Sequence, residues 1–371
     1  MASPVTVEDL QQRIVAAQHG MQTQGWGAML VSPGPDLAYL TGYDAIPLER
    51  LTCLVLRDGG DPFLVVPELE IPAAEASAVG PLGLDLLPWS ETEDPFAKTA
   101  AMIGPVTDVA VDNHMWAEKT LRFAEVLSAR LALAGPVIGS LRMRKSVEEI
   151  EALRQAGAAI DAVHAQVPQW LTAGRTEREV AADIERAIVE AGHARVDFVI
   201  VASGPNGASP HHEVSDRVIA AGDPVVVDIG GTTAAGYCSD ETRTYCVGEP
   251  PTAFLDYYAV LQRAQWAAVQ AVRPGVPCED IDAIARDIIA GAGYGDLFIH
   301  RTGHGIGLQT HEEPYIVAGN ATPLEDGFAF SIEPGIYSAG NHGARIEDIV
   351  VCGPDGPLLM NDRPRDLQVI G

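Results

Sequence analysis

An aspartate inside a run of β-branched residues constrains this chain more than any other feature. Asp228 sits in VVVDIGG, where the neighbours call for a buried strand and an unpaired charge is costly. The same conflict recurs at Asp240 in YCSDETRTY, Glu333 in FSIEPGIY and Glu347 in ARIEDIVV, and His304 lies in the glycine-rich RTGHGIGLQTHEEP. Four carboxylates carry about four negative charges and two divalent cations about four positive ones, so a shared dinuclear site would neutralise the set.

Taken singly, each acid has an ordinary explanation. Asp228 reads as a turn residue before Gly230, Glu333 as a strand end before Pro334, and Asp240 and Glu347 as partners of Arg243 and Arg345. Jointly they do not, because His304 lies among Gly303, Gly305 and Gly307, with Gly295 upstream. A close approach of backbone to a ligand would account for those glycines.

At 371 residues two domains are expected, and 47% hydrophobic against 20% charged residues supports large cores. Residues 1–140 read as a smaller α/β domain: AMLVSPGPDLAYLTG, LTCLVLRD, DPFLVVP and DVAVDN have strand character, and residues 115–131 have helical spacing. The boundary falls between Val137 and Ser146, and residues 145–371 form the second domain. There Ser146 with Glu149, and Thr176 with Glu179, are capping boxes opening helices over 147–172 and 177–191, and further helices are expected over 253–272 and 279–290. Strands are expected around 196–202, 224–230, 236–247, 327–337 and 344–352, giving an α+β class with curved antiparallel strands backed by helices.

This second domain carries an internal pseudo-repeat. GDPVVVDIGG then YCSDETRTYCVG is matched by DGFAFSIEPGIY then ARIEDIVVCG, with the acids 12 residues apart in the first pair and 14 in the second. Two facing hairpins of this kind would converge four carboxylates on one point.

DIGG, SDETRT, GHGIGL, HEEP, EPGIY and RIED, in this order, resemble the metal-ligand motifs of the creatinase, prolidase and methionine aminopeptidase superfamily. The resemblance covers the second domain throughout and the first more weakly, and it implies a "pita-bread" catalytic domain after a creatinase-like N-terminal domain. It further implies two divalent metals. Asp228 would bind one through both oxygens, Asp240 and Glu347 would bridge both, and His304 and Glu333 would complete the second. Oxygen-dominated coordination with one imidazole makes Mn²⁺ the first choice, with Co²⁺ or Zn²⁺ able to substitute.

The resemblance also assigns roles beyond the ligands. His211 would contact substrate near the scissile bond, His311 would stabilise the tetrahedral intermediate, and Glu333 would shuttle a proton between a hydroxide bridging the metals and the leaving nitrogen. His300, Tyr337 and Arg345 match substrate-pocket positions of proline-specific members, and the Arg345 guanidinium would bind a carboxylate or hold Asp240 in place. His212 has no matched role and is expected to be structural. His19, His114, His164, His193 and His342 have no motif context and are expected to be solvated or satisfied in the core.

The implied reaction is hydrolysis of the bond between an N-terminal residue and proline, by an Xaa-Pro dipeptidase or an Xaa-Pro aminopeptidase acting on a small peptide. Relatives of the fold also hydrolyse or cleave other small solutes, and some hold peptides without chemistry. Loss of His211, His311, Arg345 or the ligands would mark those branches, and this chain keeps them all. The resemblance also implies a homodimer, with the segment from Asp36 to Asp44 contributing to the partner's site.

Composition excludes other partners. A net charge of −27, from 24 Lys+Arg against 51 Asp+Glu, disfavours nucleic acid and anionic membranes. Cysteines 53, 238, 246, 278 and 352 lack CxxC spacing, which argues against a disulfide framework. The N-terminal segment lacks a basic region followed by an apolar one, and no run of about 18 apolar residues follows. A cytoplasmic location is expected.

Overall fold

The computed structural model describes residues 5–371, so the first four residues of the expected N-terminal domain lie outside the described residues. Among the described residues the chain divides into two compact units, Val5–Arg142 and Met143–Gly371.

The first unit is built on a mixed six-stranded sheet. Its strands are β1 (Ala28–Val31), β2 (Cys53–Arg57), β3 (Gly60–Pro67), β4 (Asp85–Trp89), β5 (Asp108–Val111) and β6 (Arg130–Leu133), in the order β4-β3-β2-β1-β5-β6. Fully buried Leu30, Val55, Val65 and Val109 meet Phe123 on one face. Two expectations shift here. The stretch read as a strand from Ala28 to Gly42 is strand only to Val31, and Pro35–Thr41 is helical. Proline at the first helical positions and Asp36 in the first turn favour that helix start. The helix expected over 115–131 is Ala117–Val126, because Arg130 already opens β6.

In the second unit, β7 (His193–Ser203), β8 (Pro224–Thr233) and β9 (Glu241–Val247) form an antiparallel ladder. A second sheet joins β10 (Gly303–Gly305), β11 (Glu312–Ile316), β12 (Ala329–Ile332), β15 (Asp348–Gly353) and β16 (Gly356–Leu359) in the order β11-β10-β12-β15-β16. Strands β13 (Gly335–Ser338) and β14 (His342–Arg345) pair with each other, and β17 (Gln368–Ile370) runs parallel to β9.

Each sheet is backed by a helix pair, which is the pseudo-repeat in three dimensions. Helices Val147–His164 and Glu177–Glu190 bury Ile160, Val163, Val180 and Ile184 against Val225, Val227 and Ile229 of β8. Helices Thr252–Ala271 and Cys278–Gly291 bury Phe254, Leu261, Ile281 and Ile289 against Phe330, Ile332 and Val350. Both capping boxes are formed, with Ser146 accepting from the Glu149 N–H and Thr176 from that of Glu179. The first helix is shorter than expected. It stops at His164, and Val167–Trp170 is a separate turn, because Pro168 has no N–H to donate to the His164 carbonyl.

The expected strands are interrupted where the acids stand. The 236–247 strand begins only at Glu241, after a turn, leaving Asp240 at its mouth. The 327–337 strand divides into β12 and β13 at Glu333 and Pro334, and the 344–352 strand into β14 and β15 at Ile346 and Glu347. Register survives both breaks: Ile332 faces Asp348 before them and Gly335 faces Arg345 after them, which sets Glu333 opposite Glu347. At the break the Glu333 N–H donates to the Thr302 carbonyl at 2.8 Å and the Glu347 N–H to the Thr242 carbonyl at 3.1 Å. At the acids these two N–H groups turn out of the hairpin, and the bond to Thr242 ties the second hairpin to the first.

Candidate metal centre

Four carboxylates and His304 converge on this junction. Asp228 faces Thr242 across the β8–β9 ladder, so Asp240, two residues earlier, shares its face one step along. Ligand atoms of Asp228, Asp240 and Glu347 lie within 4.8 Å of one another, as do those of His304, Glu333 and Glu347, and those of Asp240, His304 and His311. Asp240, His304 and Glu347 each belong to two of these groups, which ties the five side chains into one cluster.

The cluster fits divalent cations on its own chemistry. Asp228 Oδ1 and Glu347 Oε1 are buried without a hydrogen-bond partner, a costly state for carboxylate oxygens. Burial, then the repulsion of Glu347, Asp228 and Glu333, pushes Asp240 well above the usual carboxylate range, and Glu347 is raised for the same reasons. Burial would also raise Glu333, but a protonated His304 beside it outweighs burial and holds the group down at about 2. His304 Nδ1 lies 3.2 Å from the Gly305 carbonyl, so Nδ1–H donates there and Nε2 presents its lone pair. That lone pair faces Glu333 Oε1 at 3.2 Å and Asp240 Oδ2 at 3.7 Å, an arrangement that is attractive only around a shared cation or proton.

The glycines around His304 have a different cause from the one expected. A Cβ on Gly303 would collide with the Ser331 carbonyl, one on Gly305 with that of Glu313, and one on Gly307 with the Glu312 carboxylate and Lys145. Gly295 is crowded by Ala290. Neighbouring protein atoms, not a ligand, exclude side chains at these positions.

Arg345 also departs from expectation. It does not pair with Glu347, nor hold Asp240; its Nη2 donates to Asp228 Oδ2. Its Nε donates to Thr242 Oγ1 at 3.0 Å, and its Nη1 to the Tyr337 hydroxyl at 2.8 Å and the Pro210 carbonyl at 3.3 Å. Arg243, expected beside Asp240, instead bonds Asp348 at 2.7 Å and Glu241 at 3.1 Å. With Asp228 Oδ2 engaged by Arg345, Oδ1 is the oxygen left unpartnered.

A relay runs outward from Arg345. His300 Nδ1–H donates to the Arg301 carbonyl at 2.7 Å, leaving Nε2 to accept from the Tyr337 hydroxyl at 2.8 Å. Gly335 and Gly343 leave room for the Tyr337 ring. Burial lowers the His300 pKa, so the ring is neutral near pH 7.

A cavity of about 720 Å³ opens over the cluster, lined by all five candidate ligands and by His211, His300, His311 and Arg345. His311 packs edge-on against His304 with ring centroids 4.0 Å apart, and burial followed by the His304 neighbour lowers its pKa to about 4. His211 is exposed on the loop after β7. That loop is tied down by Glu177, whose buried carboxylate accepts from Ser203, Asn206, Ser215 and, at 2.8 Å, His212. Burial alone would raise Glu177, but the bonds from Ser215 and Ser203 hold it below its ordinary value. His212 is thus structural, and His164, His193 and His342 each meet a partner in the core.

Several residues were missed from sequence. Thr242 Oγ1 donates to Glu347 Oε2 at 2.6 Å, and Ser331 Oγ to Glu333 Oε1 at 3.2 Å while accepting from the His304 N–H at 3.0 Å. Each stands two residues from an acid, the strand period that puts both on one face. Asp282 and Arg286, one helical turn apart, anchor the His300 segment: Asp282 accepts from Thr302, and Arg286 donates to the Phe298 and His300 carbonyls. Asp197, Phe198, Ile200 and Arg301 also line the cavity.

Residues 151–354 match metallopeptidase family M24, and residues 13–144 match the creatinase/prolidase N-terminal domain. The chain is 52% identical over 360 residues to the probable dipeptidase PepE of Mycobacterium tuberculosis, covering 96% of each chain. It is 36% identical to the Xaa-Pro dipeptidase of Lactobacillus delbrueckii subsp. lactis, covering 95% of this chain and 97% of that one. The crystal structure of dipeptidase PepE from Mycobacterium ulcerans superposes with a TM-score of 0.96 at 50% identity, covering 99% of each chain.

Proposed function

This chain belongs to metallopeptidase family M24, a divalent-metal hydrolase family, and we propose that it cleaves the bond between an N-terminal residue and proline as an Xaa-Pro dipeptidase. The observation that carries the reading is the buried carboxylate cluster, with its unpartnered Asp228 and Glu347 oxygens, on the floor of a cavity that holds one uncommitted arginine. Relatives named as dipeptidases and an Xaa-Pro dipeptidase support the substrate class.

In this reading Asp228, Asp240, His304, Glu333 and Glu347 hold two divalent ions, Mn²⁺ first, with Co²⁺ or Zn²⁺ as substitutes. When bound, such ions acidify water and polarise the scissile carbonyl. Glu333, ionised at neutral pH, takes the proton from the attacking water and delivers it to the proline nitrogen. His311, neutral at that pH, offers an N–H to the developing oxyanion. His211 contacts the substrate from the cavity mouth. Arg345 and Tyr337 position Asp228 and His300, since their polar atoms are already bonded within the protein.

Arg301 supports the dipeptidase reading over the aminopeptidase one. It lines the cavity, stacks 4.3 Å from the Tyr315 ring centroid, and has no acidic partner among the described residues. A free guanidinium there suits the carboxylate of a dipeptide's proline. The remaining features of the reading are a cytoplasmic homodimer; no helix among the described residues is long and apolar enough to cross a membrane.

The test is to strip the protein with a chelator, restore Mn²⁺, and assay Ala-Pro beside Ala-Pro-Ala and Ala-Ala. Cleavage of Ala-Pro above Ala-Pro-Ala is expected. Cleavage of neither proline peptide with any divalent metal removes the reading. Light scattering showing only monomer at micromolar concentration removes the dimer.

A further inference from the structure

The cavity wall contains an acid that the catalytic reading leaves unused. Along β7, Ile200 stands opposite Asp228 and Phe198 opposite Gly230, so both side chains share the face of the metal-binding aspartate. The register then slips: Val196 faces Gly231, and Asp197 is the extra residue of a β-bulge. Bulges turn a side chain out of strict alternation. Asp197 thereby joins Phe198 and Ile200 in lining the cavity, although plain alternation would send it to the opposite face.

The carboxylate is held firmly. Thr232 Oγ1 donates to Oδ2 at 2.6 Å and Arg195 Nε to Oδ1 at 2.8 Å. The Asp197 side chain is 15% exposed and that of Arg195 62%, so Arg195 is mostly in water, where such a pair is worth little. A cation arriving from the cavity side meets a pre-oriented acid with lone pairs to spare.

Distance decides which cation. Asp197 is three strand residues from Ile200, and hence on the order of 10 Å along β7 from the row that contains Asp228. The scissile carbonyl must lie near Asp228, and the substrate's α-nitrogen is only about 2.5 Å from that carbon, too close to the metals to reach Asp197. An extended lysine or arginine side chain spans about 6 Å or more from Cα and does reach it, with its methylenes against Phe198 and Ile200.

We propose that Asp197 is a specificity residue that recognises a cationic first residue, so that Lys-Pro and Arg-Pro are preferred substrates. The proposal rests on the Xaa-Pro reading and names its first-residue class. The chain's net charge of −27 favours the approach of such substrates.

The experiment compares kcat/KM for Lys-Pro with norleucine-Pro, and for Arg-Pro with citrulline-Pro, each pair matched in shape and differing in charge. With the Mn²⁺-loaded wild type the charged member is expected to lead by about tenfold, the size of one charge-assisted hydrogen bond at a half-open site. In Asp197→Asn both ratios are expected to fall to near one. A wild-type ratio of one overturns the proposal without any variant. An unchanged ratio in Asp197→Asn also overturns it, because a purely structural role would move both members of a pair together. If the wild type cleaves no Xaa-Pro peptide at all, the Xaa-Pro reading has failed; if it cleaves them without charge preference, only the role of Asp197 has.

Discussion

Arg345 and Asp228 form an ion pair whose side chains are 3% and 11% exposed, so this candidate metal ligand is held by a guanidinium rather than by its own strand alone. The same guanidinium bonds Thr242, which in turn bonds Glu347. One arginine therefore orients carboxylates from both hairpins.

Arg345→Lys keeps the charge but cannot span Asp228, Thr242, Tyr337 and Pro210 together. Loss of such an orienting group costs roughly 10- to 100-fold in metal affinity. Calorimetric titration of chelator-stripped protein with Mn²⁺ measures it, and unchanged affinity would show that the pair serves the fold alone.

Asp240 and His311 share a cluster with His304 but are expected to behave differently. Asp240→Ala should lose at least one bound metal, whereas His311→Ala should keep the metal and lose about 10²-fold or more in kcat. Metal content by elemental analysis beside steady-state kinetics separates them. A full metal complement in Asp240→Ala would refute bridging.

Lys145 bonds Glu312 at 2.6 Å with both side chains at most 6% exposed, directly beside His311. Lys145→Met removes the cation paired with a buried carboxylate and is expected to cost about 3 to 5 kcal/mol in urea unfolding. Adding Glu312→Leu should recover most of the loss. If the double variant is no more stable than the single, the cost lies in packing and not in charge.

His164 is fully buried between the Tyr245 hydroxyl and the Glu241 carbonyl, and burial, then Arg243, lowers its pKa from 6.5 to about 3. Its folded pKa lies below the unfolded one, so between those values the unfolded chain binds the extra proton. Stability from this group is whole above pH 6.5 and is lost as pH falls, at about 1.4 kcal/mol per unit. Unfolding free energies measured between pH 7 and 5 should therefore have a shallower slope in His164→Phe than in the wild type.

Much of the site was legible in the sequence because acids in β-branched runs are rare enough to demand a cause. VVVDIGG and FSIEPGIY carried that signal, and the two capping boxes placed helices that do begin at Val147 and Glu177. The glycines around His304 were read from sequence as room for a ligand, whereas the atoms that crowd them belong to the neighbouring strands, Ser331 against Gly303 and Glu313 against Gly305, and strand pairing is not visible in a short segment. Arg345 stands two residues before Glu347, yet bonds an acid 117 residues away.

Local pattern thus marked most of the elements and the five candidate ligands, because burial and strand period are properties of short segments. Tertiary structure decided which acid each arginine holds, that the N–H groups of Glu333 and Glu347 turn out of their hairpin to Thr302 and Thr242, and that a bulge turns Asp197 into the cavity. Those outcomes depend on register between strands brought together across the fold, where a one-residue slip reverses a side chain's face. No segment carries that information alone.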